Sequence, residues 1–343
     1  MQLHIPNKQN NNRSKPFIAT GTSHTTLANL ISQKSNIPIC NQTIKAFKNS
    51  EIGVTIHDNV RNCDIFLVQT GWNDIENGKS INDFIMETLI LIDAYKRSAV
   101  KSITLIMPHF PYARQDKKDE SRAPISAKLM ANLFETAGIT RIVIMDLHAP
   151  QIQGFFDIPV DNIYSLLLFE TYFKSIKDTT KNYIVVSPDA GGMKRAIKFG
   201  KHLTLPVTMM YKQRNYDKIS DISSMGIVGD ASILKHKTAI ICDDMCDTGG
   251  TLTKCINILE KYGVKEVICF ITHGIFSEPA IDNINSCSIL TKMVTINTVP
   301  QKNNTRKSDK IVELDCSILL GYVINCLLYG GSISEIFKKV NAS

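Results

Sequence analysis

A chain of 343 residues, 43% hydrophobic and 21% charged, has the balance of a folded protein of about two domains, not of a disordered, collagenous or coiled-coil one. Its 39 Lys and Arg against 32 Asp and Glu leave a net charge of +7, short of a dedicated nucleic-acid binder but suited to anionic small molecules. No run approaches ~18 uninterrupted apolar residues, so no membrane span is expected, and nine scattered cysteines without a CxxC pair read as reduced thiols of a cytoplasmic protein.

Residues 1–15 are rich in Asn, Gln and Lys and hold no apolar segment, so they predict a disordered tail rather than a secretory signal. From Pro16 onward, short apolar runs alternate with amphipathic stretches. Strands are predicted at Ile65–Gln69, Ile103–Met107, Arg141–Met145, Tyr183–Ser187, Thr238–Cys242 and Val267–Thr272. Each is nearly continuous in Val, Ile, Leu and Met, as in strands buried on both faces of a parallel sheet. A helix follows Pro124, with Ile125, Leu129, Met130, Leu133, Phe134 and Ala137 on one face and a stop at Gly138. Another follows Gly250, with Leu252, Cys255, Ile256, Leu259 and Tyr262 inward and a stop at Gly263. This alternation predicts an α/β protein with doubly wound, mostly parallel sheets flanked by helices. The order strand, helix, strand, basic Tyr-containing loop, strand, acidic turn occurs twice. It predicts two domains of related topology, 16–164 and 165–343, the C-terminal segment of the second packing back on the first.

Ligands of open parallel sheets bind at the carboxyl ends of the strands. Those ends carry Gln69-Thr70-Gly71, Pro108-His109, Asp146-Leu147-His148, Pro188-Asp189, Asp243-Asp244 and His273-Gly274. The most informative segment is Thr238–Thr251, TAIICDDMCDTGGT: a buried strand, an acidic pair, then a Thr-Gly-Gly-Thr turn opening a helix. Backbone N–H groups and Thr hydroxyls at such a helix start surround a phosphate. Asp243 and Asp244 repel phosphate and suit sugar hydroxyls or a metal, so the loop reads as a site for a phosphorylated sugar. No GxxxxGK[ST] or strand-following GxGxxG occurs, so the loop is not a P-loop, and a nucleotide would bind by another scheme. The loop YARQDKKDESR at 112–122 carries Arg114, Lys117, Lys118 and Arg122, cations able to close over a polyphosphate. Taken alone, such a run is more often a solvated charged surface, and His148 taken alone is more often a hydrogen-bonded structural histidine than a metal ligand.

Together these segments resemble the ribose-phosphate diphosphokinases, or phosphoribosyl-diphosphate (PRPP) synthetases. The likeness runs from Phe17 to Phe337 through ATGTSH, FPYARQDKKDESRAPISAKLMAN, MDLHAPQIQGFFDIPVDN, SPDAGGMKRA, CDDMCDTGGT and THGIFSEPA. The resemblance implies two phosphoribosyltransferase-type α/β domains and a homohexamer built from dimers with shared active sites. It implies transfer of the diphosphoryl group of ATP to the anomeric hydroxyl of ribose 5-phosphate with Mg2+, and no nucleic-acid or membrane partner. It places Phe47, Asn49 and Glu51 at the adenosine, Arg114 and Gln115 on the ATP loop, and His148 and Asp189 at Mg2+-linked positions, with Asp146 as a supporting candidate. Lys212 and Arg214 match a catalytic Lys-x-Arg. Asp243, Asp244, Asp247, Thr248, Gly249, Gly250 and Thr251 match the ribose-5-phosphate loop, and Ser332 and Ser334 a regulatory anion site. The chain departs from the family pattern in FKNSE at 47–51, in Glu278, and in insertions around Glu76–Ser80 and within Tyr216–Gly226. A catalytically silent paralogue would be expected to have lost the Lys-x-Arg pair or the ATP-loop residues, and both are present.

Overall fold

Chain order alternates strand and helix through β1 (Pro16–Thr20), α1 (Thr25–Ser35), β2 (Gln42–Ala46), β3 (Ile52–Ile56), β4 (Asp64–Val68), α2 (Ile81–Arg97), β5 (Ser102–Ile106), α3 (Ser126–Ala137), β6 (Arg141–Met145) and β7 (Val160–Ile163). The structure, a computed structural model, describes residues 15–214, 222–301 and 303–335. Five of these strands form a parallel sheet in the order β1-β4-β5-β6-β7, while β2 and β3 pair as a separate antiparallel hairpin. Alternation along the strands sends Phe17, Ala19, Ile65, Leu67, Ile103 and Leu105 into one core with Leu91, Tyr95, Met130 and Phe134 of the covering helices. Residues such as Ile18 and Phe66, equally buried, fall on the opposite face.

The α3 stripe differs from the expected one. Ala127, Met130, Ala131 and Phe134, spaced i, i+3, i+4 and i+7, are buried, whereas Leu129 and Leu133 are 53% and 36% exposed. They sit two residues out of phase with that stripe, which turns them to the other side of the helix.

The second part runs α4 (Leu166–Ile176), β8 (Tyr183–Ser187), α5 (Met193–Leu203), β9 (Val207–Arg214), β10 (Ile222–Ile227), β11 (Thr238–Cys246), α6 (Gly250–Lys261), β12 (Glu266–Gly274), α7 (Ala280–Ser286), β13 (Leu290–Ile296), α8 (Asn304–Lys307) and β14 (Ile311–Leu314). Its seven-stranded sheet has the order β10-β9-β8-β11-β12-β13-β14, parallel except for the β10 edge. β11 is longer than expected because β12 matches it to the end, with Cys246 opposite Gly274. Tyr262 is the C-cap of α6 rather than part of its inward face, and it is exposed.

The last helix, α9 (Ser317–Tyr329), is apolar around most of its circumference and buried from Leu319 to Cys326. Such a helix needs cover on all sides. It packs on α1, where a Cβ at Gly321 would approach Lys34 Cβ to 2.9 Å, so the absence of a side chain permits the close crossing. Asp315 onward therefore groups with the chain up to Tyr164, and the second compact unit is Ser165–Leu314. All nine cysteines are buried thiols, and among the described residues no helix is long and apolar enough to cross a membrane.

Candidate active site

The strand order of the second unit reverses at β8. The chain leaves β8 for β9 on one side and returns to β11 on the other. At such a switch point the two connections diverge and open a crevice at the carboxyl ends of the strands. The register shows where it opens: β11 pairs with β8 only over Thr238–Ile241 and then continues alone beside β12. Asp189 follows β8, while Asp243 and Asp244 lie on the unpaired end of β11, so all three line this crevice.

Arg195, on α5, joins the acidic pair. Its Nη1 lies 3.1 Å from Asp243 Oδ1 and 3.1 Å from Asp244 Oδ1. Asp243 Oδ1 also accepts the Asp244 backbone N–H at 2.9 Å. The turn before α5 is fixed by Asp189, whose Oδ1 accepts the Gly192 N–H at 3.0 Å, and by Ser187 Oγ, which donates to the Asp189 carbonyl at 2.7 Å.

Burial pushes the Asp243 carboxyl well above the usual range and the Asp244 charge adds to this; Arg195 opposes both. A carboxyl whose folded pKa is raised stabilises the fold below its unfolded value near 4. That contribution is lost as pH rises through the folded value. Asp243→Asn, neutral throughout, is therefore expected to melt higher than wild type without ligand at pH 7–8, by about 1 kcal/mol or roughly 2–4 °C. The gap should close near pH 4, and a melting series across this pH range checks it. The same change should weaken any ligand whose hydroxyls these oxygens accept.

Beyond the acidic pair, Asp247 and Thr248 lead to Gly249, whose φ of 73° lies in the left-handed region and turns the chain into α6 at Gly250-Thr251. The loop is held from outside by Asn283 Nδ2, which donates to the Thr248 carbonyl at 2.8 Å. The first backbone N–H groups of α6 have no partner within the helix, the arrangement that receives an anion. Lys212 and Arg214 occupy the end of β9, with Lys212 opposite Met225 of β10. Residues 215–221, which include much of the predicted 216–226 insertion, lie outside the described residues.

The remaining predicted residues belong to the first unit. Phe47, Asn49 and Glu51 form the exposed tip of the β2–β3 hairpin, closed by Phe47 N–H donating to Glu51 O at 2.7 Å, with Lys45 Nζ 5.1 Å from the Phe47 ring centroid. Arg114 and Gln115 are exposed in the loop between β5 and α3. Gln115 is tied to the start of α3: its side-chain oxygen accepts from Ser126 Oγ and its carbonyl from the Ala127 N–H at 3.2 Å. Asp146 follows β6 and is buried, with φ 38° and its N–H donating to Ile163 O at 3.0 Å; His148, two residues on, is exposed. Ser332 and Ser334 are exposed and hydrogen-bonded to each other at 2.8 Å.

The structure thus gathers Asp189, Asp243, Asp244 and the Asp247–Thr251 loop at one crevice, while the hairpin, the Arg114 loop and His148 belong to another compact unit. Among the described residues no three His, Cys, Asp or Glu form a ready cage for a metal ion. Arg195 is the functional candidate that sequence reasoning passed over. It stood inside the matched stretch SPDAGGMKRA, but nothing local signals that it reaches a carboxylate 48 residues away.

Comparison with known proteins matches the chain to a family. Residues 17–138 match the N-terminal domain of ribose phosphate pyrophosphokinase, and residues 160–284 a phosphoribosyl transferase domain. The chain is 44% identical over 320 residues to ribose-phosphate pyrophosphokinase 2 of Saccharomyces cerevisiae, covering 93% of this chain and 96% of the yeast protein. It is 41% identical to the ribose-phosphate pyrophosphokinase of Clostridium acetobutylicum, over 94% of this chain and 97% of that one. The crystal structure of phosphoribosylpyrophosphate synthetase from Mycobacterium smegmatis superposes with a TM-score of 0.84 at 37% identity, over 93% of this chain and 100% of that one. With both domains matched in order and the likeness extending over nearly the whole length, the chain belongs to the ribose-phosphate pyrophosphokinase family.

Proposed function

We propose that this protein is an active ribose-phosphate diphosphokinase, which moves the diphosphoryl group of ATP to the anomeric hydroxyl of ribose 5-phosphate and releases PRPP and AMP. The observation that carries the reading is the acidic pair followed by the Gly249 turn and the α6 N-terminus, all at the switch point of the second unit. The α6 N–H groups and Thr248 and Thr251 hydroxyls receive the 5-phosphate. Asp243 and Asp244 accept hydrogen bonds from the ring hydroxyls. Lys212 and Arg214 neutralise the transferring group, because a loose phosphoryl transition state asks for positioning and charge stabilisation rather than covalent help. Phe47, Asn49 and Glu51 hold the adenosine, and Arg114 and Gln115 the phosphates of ATP. In the family pattern the subunits form a homohexamer built from dimers.

Mg2+ fits this donor set. Each unit by itself offers a single carboxylate at a strand end, Asp189 in the second and Asp146 in the first, with the ring nitrogen of His148 as a further candidate in the first; Mg2+ keeps several waters and is carried largely by substrate phosphates rather than by an all-protein cage. Bound with the substrate phosphates, it would withdraw charge from their oxygens. The test is purified protein with Mg2+, ATP and ribose 5-phosphate, following AMP against ADP. AMP in step with PRPP is expected. ADP indicates single-phosphoryl transfer and overturns the reading, while intact binding of both substrates without turnover indicates a silent regulatory paralogue.

A further inference from the structure

Two adjacent carboxylates on one strand end repel each other, and left alone they rotate apart or share a proton. Here one guanidinium nitrogen reaches an oxygen of each at 3.1 Å, and the Asp244 N–H fixes that same Asp243 oxygen at 2.9 Å. The shared cation ties the two side chains together. Arg195 is itself placed by a stiff base: α5 follows the Asp189–Gly192 turn, and a Cβ at Gly192 would come within 2.9 Å of Ser187 Oγ. A side chain one and a half turns or less from so tight a start has little freedom to move away.

We propose that Arg195 is the positioning residue for the pentose, holding Asp243 and Asp244 side by side so that they accept hydrogen bonds from two neighbouring ring hydroxyls at once. This rests on the reading of the crevice as the ribose-5-phosphate site. Arg195 does not touch the reacting atoms; it sets the orientation and charge of the groups that hold the sugar. Its loss leaves the phosphate end of the site at α6 and the ATP-holding residues unaltered. Recognition of the sugar hydroxyls is what fails, because two unconstrained acids no longer match a pair of adjacent hydroxyls.

The test compares wild type, Arg195→Met and Arg195→Lys. Each is measured by steady-state kinetics and by calorimetric binding of ribose 5-phosphate and 2-deoxyribose 5-phosphate, with Mg2+ and a non-transferable ATP analogue present. Losing a charge-assisted hydrogen bond of this kind converts to roughly 10- to 100-fold in affinity. Arg195→Met is expected to raise KM for ribose 5-phosphate by that factor, with kcat and KM for ATP changed only a few-fold. Its preference for ribose over 2-deoxyribose 5-phosphate should shrink. Arg195→Lys should recover part of the affinity, since a point charge approaches both acids without the planar fork. Unchanged ribose-5-phosphate affinity in Arg195→Met overturns the proposal. So does a uniform fall in kcat and in affinity for both substrates, with a lowered melting temperature that lysine does not restore. Wild type that fails to bind ribose 5-phosphate overturns the functional reading and this proposal with it. Wild type that binds and is equalled by Arg195→Met overturns this proposal alone.

Discussion

Replacing Lys212 by alanine is expected to cut AMP formation from ATP and ribose 5-phosphate by about 10²–10³-fold, the usual loss for one preorganised electrostatic donor. The residue lies near the end of β9, on the hairpin that β10 completes, at the edge of the sheet whose switch point carries the acidic crevice. A diphosphoryl group in transfer spreads charge over several oxygens, and an ammonium beside it would stabilise that charge more than the ground state. The loss should therefore appear in kcat, with KM for ribose 5-phosphate little changed, since α6, Asp243 and Asp244 are untouched. Lys212 lies at the C-terminal end of β9, beyond the core residue Met210, so its loss removes no buried apolar side chain and the melting temperature should hold. Retained turnover in a folded variant would remove Lys212 from the mechanism. Arg214→Ala offers a second reading at the same strand end, and the double variant should lose less than the product of the two single losses if both act on one charge.

The sequence makes the layered architecture legible wherever one local pattern decides the outcome. The runs at Arg141–Met145 and Tyr183–Ser187 are strands with the expected ends, because continuous β-branched and aliphatic residues have no polar face to leave exposed. The acidic turn before α6 is equally legible, since Asp, Thr and Gly at those spacings have few other uses. What escapes sequence reading depends on contacts distant in the chain. Leu129 and Leu133 are apolar yet exposed, because the stripe that faces the sheet is set by Ala127, Met130, Ala131 and Phe134. The attachment of α9 to the first unit depends on Gly321 meeting Lys34, a pairing between opposite ends of the chain. Arg195 is the sharpest case. In sequence it is one cation beside Lys194, and only the packing of α5 beside β11 turns it toward Asp243 and Asp244.

Glu87→Ala is expected to destabilise the first unit by about 2–3 kcal/mol, the upper part of the range for leaving buried donors without their acceptor. Glu87 is 1% exposed, on α2, and its carboxylate collects four donors. Oε1 accepts the Thr22 N–H at 2.6 Å and Gln69 Nε2 at 2.9 Å; Oε2 accepts Thr22 Oγ1 at 2.7 Å and Lys79 Nζ at 3.3 Å. Gln69 in turn accepts the Ser23 N–H at 3.0 Å, Ser23 Oγ accepts the Thr70 N–H at 2.8 Å, and Thr70 Oγ1 accepts the His109 N–H at 3.2 Å. One carboxylate thus anchors the loops after β1, β4 and β5, the last of which leads into the Arg114 loop. Gly21 belongs to the same design: a Cβ there would lie 2.2 Å from Gln69 Oε1, so only glycine admits the amide. Lys79 comes from the Glu76–Ser80 insertion, so that insertion supplies a counter-ion to a buried acid rather than only lengthening a surface turn. Lys79 is itself 32% exposed, and screening by water limits the effect of Lys79→Met to about 1 kcal/mol or less. Glu87→Gln, which keeps one acceptor oxygen but turns two donors toward Thr22 and Lys79, should fall between the two. Urea unfolding of the three variants checks the order. A Glu87→Ala loss below that of Lys79→Met would mean that the donors around Glu87 find water on their own, and that the network does not anchor the three loops.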